Sequence, residues 1–178
     1  MEIATENLTS NSEHWASIDG YTNYQVSWWG RVRNTKTGRI LKPGLDTGGY
    51  QHVALYKNKK AKTIKIHRLV AREWVGNPEE KRCVDHIDGS RTNNHWENLR
   101  RATHSENLMN KRGHKDRTSV YKGVSFDKNS QKWVVRIKVG GVNKNMGLFK
   151  IEREAAEVYN AAAVKFYKEF AKVNVFDD

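Results

Sequence analysis

The segment CVDHIDGSRTNNHWENLRRATHSENLMN, residues 83–110, sets a carboxylate beside an imidazole, Asp85 and His86. Five asparagines follow: Asn93, Asn94, Asn98, Asn107 and Asn110. Asparagine is a weak helix former and a rare core residue. Its amide can cap, turn the chain, orient another side chain or ligate a hard metal. Hydrolysis of a phosphodiester needs groups of this kind. A water must lose a proton, the leaving 3′ oxygen must be stabilised, and charge on the phosphate must be offset. One divalent metal serves the last two needs, and a neutral histidine serves the first. Magnesium takes oxygen ligands and keeps several of its waters. Asp85 and Asn107 could thus supply part of a metal shell while His86 activates water. Neighbouring strand residues point to opposite faces. Asp85 and His86 can serve one centre only if the chain bends there or the metal is reached from the strand end.

Charge points to the partner. Lys and Arg number 32 against 20 Asp and Glu in 178 residues, a net charge of +12. A polyanion such as nucleic acid is the expected partner. The charge is uneven: residues 31–75 hold 12 basic and 2 acidic side chains, whereas residues 76–110 hold 5 and 6. A near-neutral centre between basic arms suits a reactive site flanked by grips. Cys83 is the only cysteine, which excludes an internal disulfide framework and a cysteine-rich zinc site. There is no signal peptide and no long apolar run. A soluble, intracellular protein with no targeting signal and no membrane partner is expected.

The elements that must position the centre are partly readable. Residues 1–14 are polar and expected to fray. Val26 and Val32 frame an aromatic-rich stretch, and NTKTGRI reads as a hairpin turn with Gly38 at its tip. Residues 48–67 alternate with period two, predicting two strands joined by KNKK. RLVAREWV, 68–75, predicts a short helix against that sheet. Val84–Ile87 predicts a short strand and Asp88-Gly89 a turn. WENLRRA reads as a turn, with a helix from about Ser105. Within it, Asn93 and Asn94 are expected to turn the chain and Asn110 to end the helix. KRGHKDRTS, 111–119, reads as a linker. In KWVVRIKVGG, Trp133, Val135, Ile137 and Val139 share one face and Lys132, Val134, Arg136 and Lys138 the other. The apolar stripe at 155, 158, 159, 162, 166 and 170 predicts a helix packed on that sheet.

The pattern D-H-I-D-G-x(3)-N-N-x(3)-N-L-R, continuing to S-E-N, resembles the HNH nuclease motif of phage and intron homing endonucleases. That family builds a β-hairpin and a helix around one metal. The resemblance implies His86 as general base and Asp85 and Asn107 as metal ligands. It implies that Asn98 orients the imidazole. The closing His of the name is Asn107 here, with His104 the second choice. One Mg2+ is implied, with Mn2+ the alternative.

Two further resemblances flank the motif. W-x(2)-I-x-G-Y-x(2)-Y-x-V-S-x(2)-G-x-V-R, followed by G-Y-x(2)-V-x-L and H-R-L-V-A, resembles the small module that precedes phage HNH domains. It implies DNA contacts at Arg31, Arg33, Lys36, Arg39 and Lys42. Beyond residue 120, Y-K-G-V-S, K-W-V-V-R-I-K, G-L-F and E-A-A-x(2)-Y-x(2)-A-A resemble the plant APETALA2/ethylene-response-type DNA-binding domain. That fold lays a three-stranded sheet in the major groove. It implies DNA contacts at Lys122, Ser125, Lys132, Arg136, Lys138, Asn143 and Asn145. Ser125 and Arg136 depart from the usual plant residues, so a different base preference is expected.

The expectation is a modular α+β protein. It has a flexible 1–14, an N-terminal DNA-binding module at 15–66 and a ββα-metal HNH centre at 67–110. A linker at 111–119 leads to a C-terminal three-stranded antiparallel sheet on one helix at 120–178. The expected function is a site-directed, metal-dependent endonuclease acting on double-stranded DNA. It is expected to act as a monomer without a protein partner and to nick one strand per active site. The nick would leave a 5′ phosphate and a 3′ hydroxyl. The alternatives are a DNA-binding regulator with an idle nuclease centre and, further off, a zinc-stapled RNA-binding protein.

Overall fold

The alternating stretches of the sequence become strands. The computed structural model describes residues 12–111 and 118–176. In chain order the first strands are β1 (Trp15–Ser17), β2 (Tyr24–Ser27), β3 (Val32–Asn34), β4 (Gly44–Leu45), β5 (Gln51–Lys57) and β6 (Lys60–Lys65). Helix α1 (Ile66–Trp74), strands β7 (Cys83–His86) and β8 (Leu99–Ala102) and helix α2 (His104–Asn110) follow. The last stretch carries β9 (Val124–Asp127), β10 (Lys132–Val139), β11 (Val142–Phe149) and α3 (Glu152–Tyr167). The fold class is α+β, as expected. The chain falls into two units. Among the described residues, one holds 12–80 and 90–101 and the other 81–89, 102–111 and 118–176. The tail at 1–11 and most of the linker, 112–117, lie outside the described residues.

In the first unit, β1, β2 and β3 form an antiparallel sheet in that order. Val26 and Val32 pair across it and are both fully buried. After β3, Asn34 Oδ1 accepts the N–H groups of Lys36 and Thr37 at 2.9 and 3.2 Å, the Asx turn that NTKTG encodes. A second sheet has the order β4-β5-β6. Asn58 and Lys59 alone join β5 to β6, with φ of +52° and +62°. Two left-handed residues match the twist of the flanking strands. Strand β6 runs straight into α1, which buries Ile66, His67, Leu69, Val70 and Ala71. The helix starts two residues before the expected Arg68. Its last carbonyls are met by Arg101, whose guanidinium donates to Ala71 and Val75. Burial pulls the pKa of that guanidinium below its ordinary value.

WENLRRA is more structured than a turn. Trp96–Asn98 form one turn of 3-10 helix, and β8 follows directly. Helix α2 starts at His104 rather than Ser105. Thr103 is its cap, and the Thr103–Glu106 pair forms a capping box.

In the second unit, β9, β10 and β11 form an antiparallel sheet with β10 central. Val124, Val135 and Ile137 from its inner face pack on Ala155, Ala156, Tyr159, Ala162, Ala163 and Tyr167 of α3. The small alanines let the helix lie close to the sheet. Gly123 is forced by this closeness. It has φ of +77°, and a Cβ there would sit 1.9 Å from the Tyr159 ring. The Tyr167 hydroxyl donates to the Lys138 carbonyl at 2.8 Å and accepts its N–H, tying helix to strand. The opposite sheet face pairs Arg136 with Asn145, Lys138 with Asn143 and Val134 with Ser125.

Candidate active site

Strand β7 stops at His86, and the chain turns at once. The Gly89 N–H donates to the His86 carbonyl at 2.9 Å, and Gly89 has φ of +77°. Asp85 and His86 are each only 5% exposed. A carboxylate held that deep must have polar partners. One comes from α2. Asn110 Nδ2 lies 3.0 and 3.2 Å from the two Asp85 oxygens and 2.8 Å from the His86 carbonyl. One amide nitrogen thus clasps the last two residues of the strand. Asn110 is the last residue of α2, but ending the helix is not its main work. It is itself buried, and its partners lie about 25 residues earlier in the chain.

Helix α2 has seven residues, too few to be stable alone. Its N-terminus is sealed by the capping box. The Thr103 hydroxyl accepts the Glu106 N–H at 3.2 Å, and the Glu106 carboxylate accepts the Thr103 N–H at 2.7 Å. Lys81 donates to Glu106 at 3.1 Å. Burial pushes the Glu106 carboxyl upward. The Thr103 N–H and Lys81 outweigh it and hold the pKa below its ordinary value. Asn107 lies one turn before Asn110, on the same helix face, and is half-buried. The helix that fixes Asp85 therefore carries Asn107 beside it. His104 is exposed at the first turn.

Asn98 lies in the first unit. Its Nδ2 donates to the Asn93 carbonyl at 2.8 Å, which fixes the amide plane. Asn98 lines a shallow depression with Trp29, Asn93, His95 and Glu97. The turn expected at Asn93-Asn94 is centred two residues earlier, on Arg91-Thr92: the Asn93 N–H meets the Ser90 carbonyl. Asn94 is not a turn former. It is 3% exposed, donates to the Gln51 side chain at 2.8 Å, and packs against Gly30, where a Cβ would approach it to 2.7 Å.

Residues 13–56 match the NUMOD4 motif, and residues 65–109 match the HNH endonuclease family. The DNA endonuclease I-HmuI of Bacillus phage SP01 is 37% identical over 132 residues, covering 73% of this chain and 75% of that protein. Its solved structure, titled DNA binding and cleavage by the HNH homing endonuclease I-HmuI, covers 87% of this chain and 91% of its own. It superposes with a TM-score of 0.52 at 30% identity. The H-N-H endonuclease F-TflII of Escherichia phage T5 is 32% identical over 119 residues, spanning 66% of this chain and 58% of that protein.

The chain belongs to the HNH homing endonucleases.

A site-directed DNA endonuclease must hold DNA, and the side chains expected to do so differ in their surroundings. Arg31 is bound to Glu13, and Arg33 donates twice to Gln25, at 2.7 and 2.9 Å, while lying 4.2 Å over the Trp15 ring. Lys36, Arg39 and Lys42 are exposed. In the second unit, Lys132, Ser125, Arg136, Lys138, Asn143 and Asn145 share the sheet face turned away from α3. Arg136, Lys138, Asn143 and Asn145 are exposed there. The ammonium of Lys122 is directed inward, to the Met109 carbonyl.

The donor set of this endonuclease fits a hard metal. Asp85 offers carboxylate oxygens and Asn107 an amide carbonyl, both suited to Mg2+. Among the described residues no group of three or more His, Cys, Asp or Glu side chains is placed to hold a metal ion.

Proposed function

We propose that this endonuclease hydrolyses one phosphodiester of double-stranded DNA per active site, with Mg2+ as the metal and Mn2+ as a substitute. The observation that carries this is the buried end of β7, where Asp85 and His86 are clasped by Asn110 from the helix that bears Asn107. Asp85 and Asn107 would hold the metal. Held there, a metal would supply charge to offset the phosphate and the leaving 3′ oxygen. The His86 imidazole takes the proton from the attacking water. Asn98 would orient that imidazole, as the family resemblance implies. A fixed amide suits this task, and the Asn93 carbonyl supplies the fixing.

DNA is held by the parts on either side. The module at 15–66 contributes Lys36, Arg39 and Lys42, with Arg31 and Arg33 beside them. The unit at 120–178 resembles the APETALA2/ethylene-response domain in sequence, and its sheet carries Arg136, Lys138, Asn143 and Asn145 on one exposed face. A ribbon of that width enters a major groove. Joined on one chain, the parts raise each other's effective concentration on a duplex, so a monomer suffices. A single centre then gives a nick with a 5′ phosphate and a 3′ hydroxyl.

Supercoiled plasmid incubated with the full chain tests this. Open circles should form with Mg2+ or Mn2+ and not with a chelator. Absence of cleavage with every divalent metal would leave only DNA binding.

A further inference from the structure

Among the described residues of the second unit, two contacts join the C-terminal sheet and helix to α2, and Lys81 bridges them further. Met109 of α2 packs against the apolar cluster of β9, β10 and α3. The Lys122 ammonium, one residue before Gly123, donates to the Met109 carbonyl. Lys81, already paired with Glu106, lies 5.6 Å from the centre of the Phe170 ring. Phe170 is buried in the turn after α3. Lys122 is held along its backbone as well: its N–H donates to Asn174 Oδ1 at 2.7 Å and its carbonyl accepts the Asn174 amide at 3.2 Å.

These contacts meet a specific need. The last carbonyls of a helix have no partner within it, and a cation there also faces the negative end of the helix dipole. Met109 is the residue before Asn110, which clasps Asp85. A shift at Met109 is therefore passed directly to the clasp and, on the same face, to Asn107.

We infer that Lys122 is a positioning residue for cleavage: its ammonium on the Met109 carbonyl locks the end of α2. The C-terminal module thereby sets the geometry of the nuclease centre as well as holding DNA. This rests on the nuclease function proposed above. It gives Lys122 a different task from the phosphate or groove contact implied by its place in the Y-K-G-V-S motif.

The test uses the full chain with Mg2+ and DNA, comparing Lys122→Met, Lys122→Gln and Lys122→Arg. Single-turnover cleavage at saturating protein should fall roughly tenfold to a hundredfold in Lys122→Met, the range for groups that orient catalytic ligands. Lys122→Arg should restore most of it. Kd and its salt dependence should stay unchanged, and amide exchange across α2 should quicken. If Lys122→Met fails to fold, Lys122→Gln, which keeps a donor without charge, should give an intermediate rate. Weaker binding with a salt slope reduced by about 0.9, and an unchanged rate for bound DNA, would overturn the proposal by making Lys122 a phosphate contact. If the unaltered chain cleaves nothing, the nuclease proposal fails. Unchanged amide exchange across α2 in Lys122→Met would then sink the brace independently.

Discussion

Asn110 Nδ2 stands 3.0 Å from Asp85 Oδ2, and both residues are buried. If Asp85 holds the metal as proposed, its carboxylate needs its other contacts fixed, and this amide supplies one of them. Asn110→Ala should destabilise the protein by roughly 1–3 kcal/mol, the cost of stranding a buried polar partner. Cleavage should fall about tenfold to a hundredfold. Asn110→Asp should do worse, since it sets a second carboxylate against Asp85. Urea denaturation and cleavage assays measure the two effects separately. An Asn110→Asp protein with full activity would exclude the clasp.

The clasp also shows where the sequence was silent. Asn110 binds a residue 25 positions earlier, and Asn94 binds Gln51, 43 positions earlier. No periodicity carries such long-range pairing, so both looked like local punctuation. The long patterned elements were legible: β5 and β6 by alternation, α1 and α3 by their apolar stripes. In α3, Ala155, Ala156, Tyr159, Ala162 and Ala163 read as core and are buried, and Tyr167 joins them. Strand β8 and the Trp96–Asn98 turn escape a sequence reading because elements of three or four residues leave no period to count. The T-x-x-E of Thr103–Glu106 was there to read as a capping box. It would have placed the start of α2 correctly.

The cap at Thr103 gives a second prediction. Thr103→Ala should cost about 1 kcal/mol, typical for loss of a helix N-cap. The pH dependence follows from Glu106, whose carboxyl is held below its ordinary 4.5 against the opposing effect of burial. A depressed folded pKa stabilises wherever the carboxylate is ionised. The contribution is fully present above about pH 4.5 and is lost as pH falls through the folded value. Denaturation midpoints should therefore drop more steeply below pH 4.5 in the unaltered chain than in Glu106→Gln. Parallel curves would contradict the assignment.

Gly123 tests the packing of the C-terminal core. Gly123→Ala adds a Cβ 1.9 Å from the Tyr159 ring and places alanine at φ of +77°. Overpacking and left-handed strain together should cost roughly 2–4 kcal/mol. Thermal unfolding measures this. A loss below about 0.5 kcal/mol, the scale of a neutral surface change, would mean that α3 does not lie this close to the sheet.

The exposed face of β10 and β11 should hold DNA. Replacing Lys132, Arg136 and Lys138 with alanine should weaken binding. It should also lower the slope of log K against log salt by about 0.9 for each phosphate that is no longer neutralised. Binding at several salt concentrations reads this directly. An unchanged slope would place the duplex elsewhere.

The central claim is that His86 activates water while other residues hold the DNA. It is tested most directly by His86→Ala with supercoiled plasmid and Mg2+, with DNA affinity measured on the same protein. Nicking should fall at least about a hundredfold, the lower range for loss of a general base. Affinity should stay within roughly tenfold, because phosphate contacts carry it. Undiminished nicking, or binding lost together with cleavage, would contradict the account.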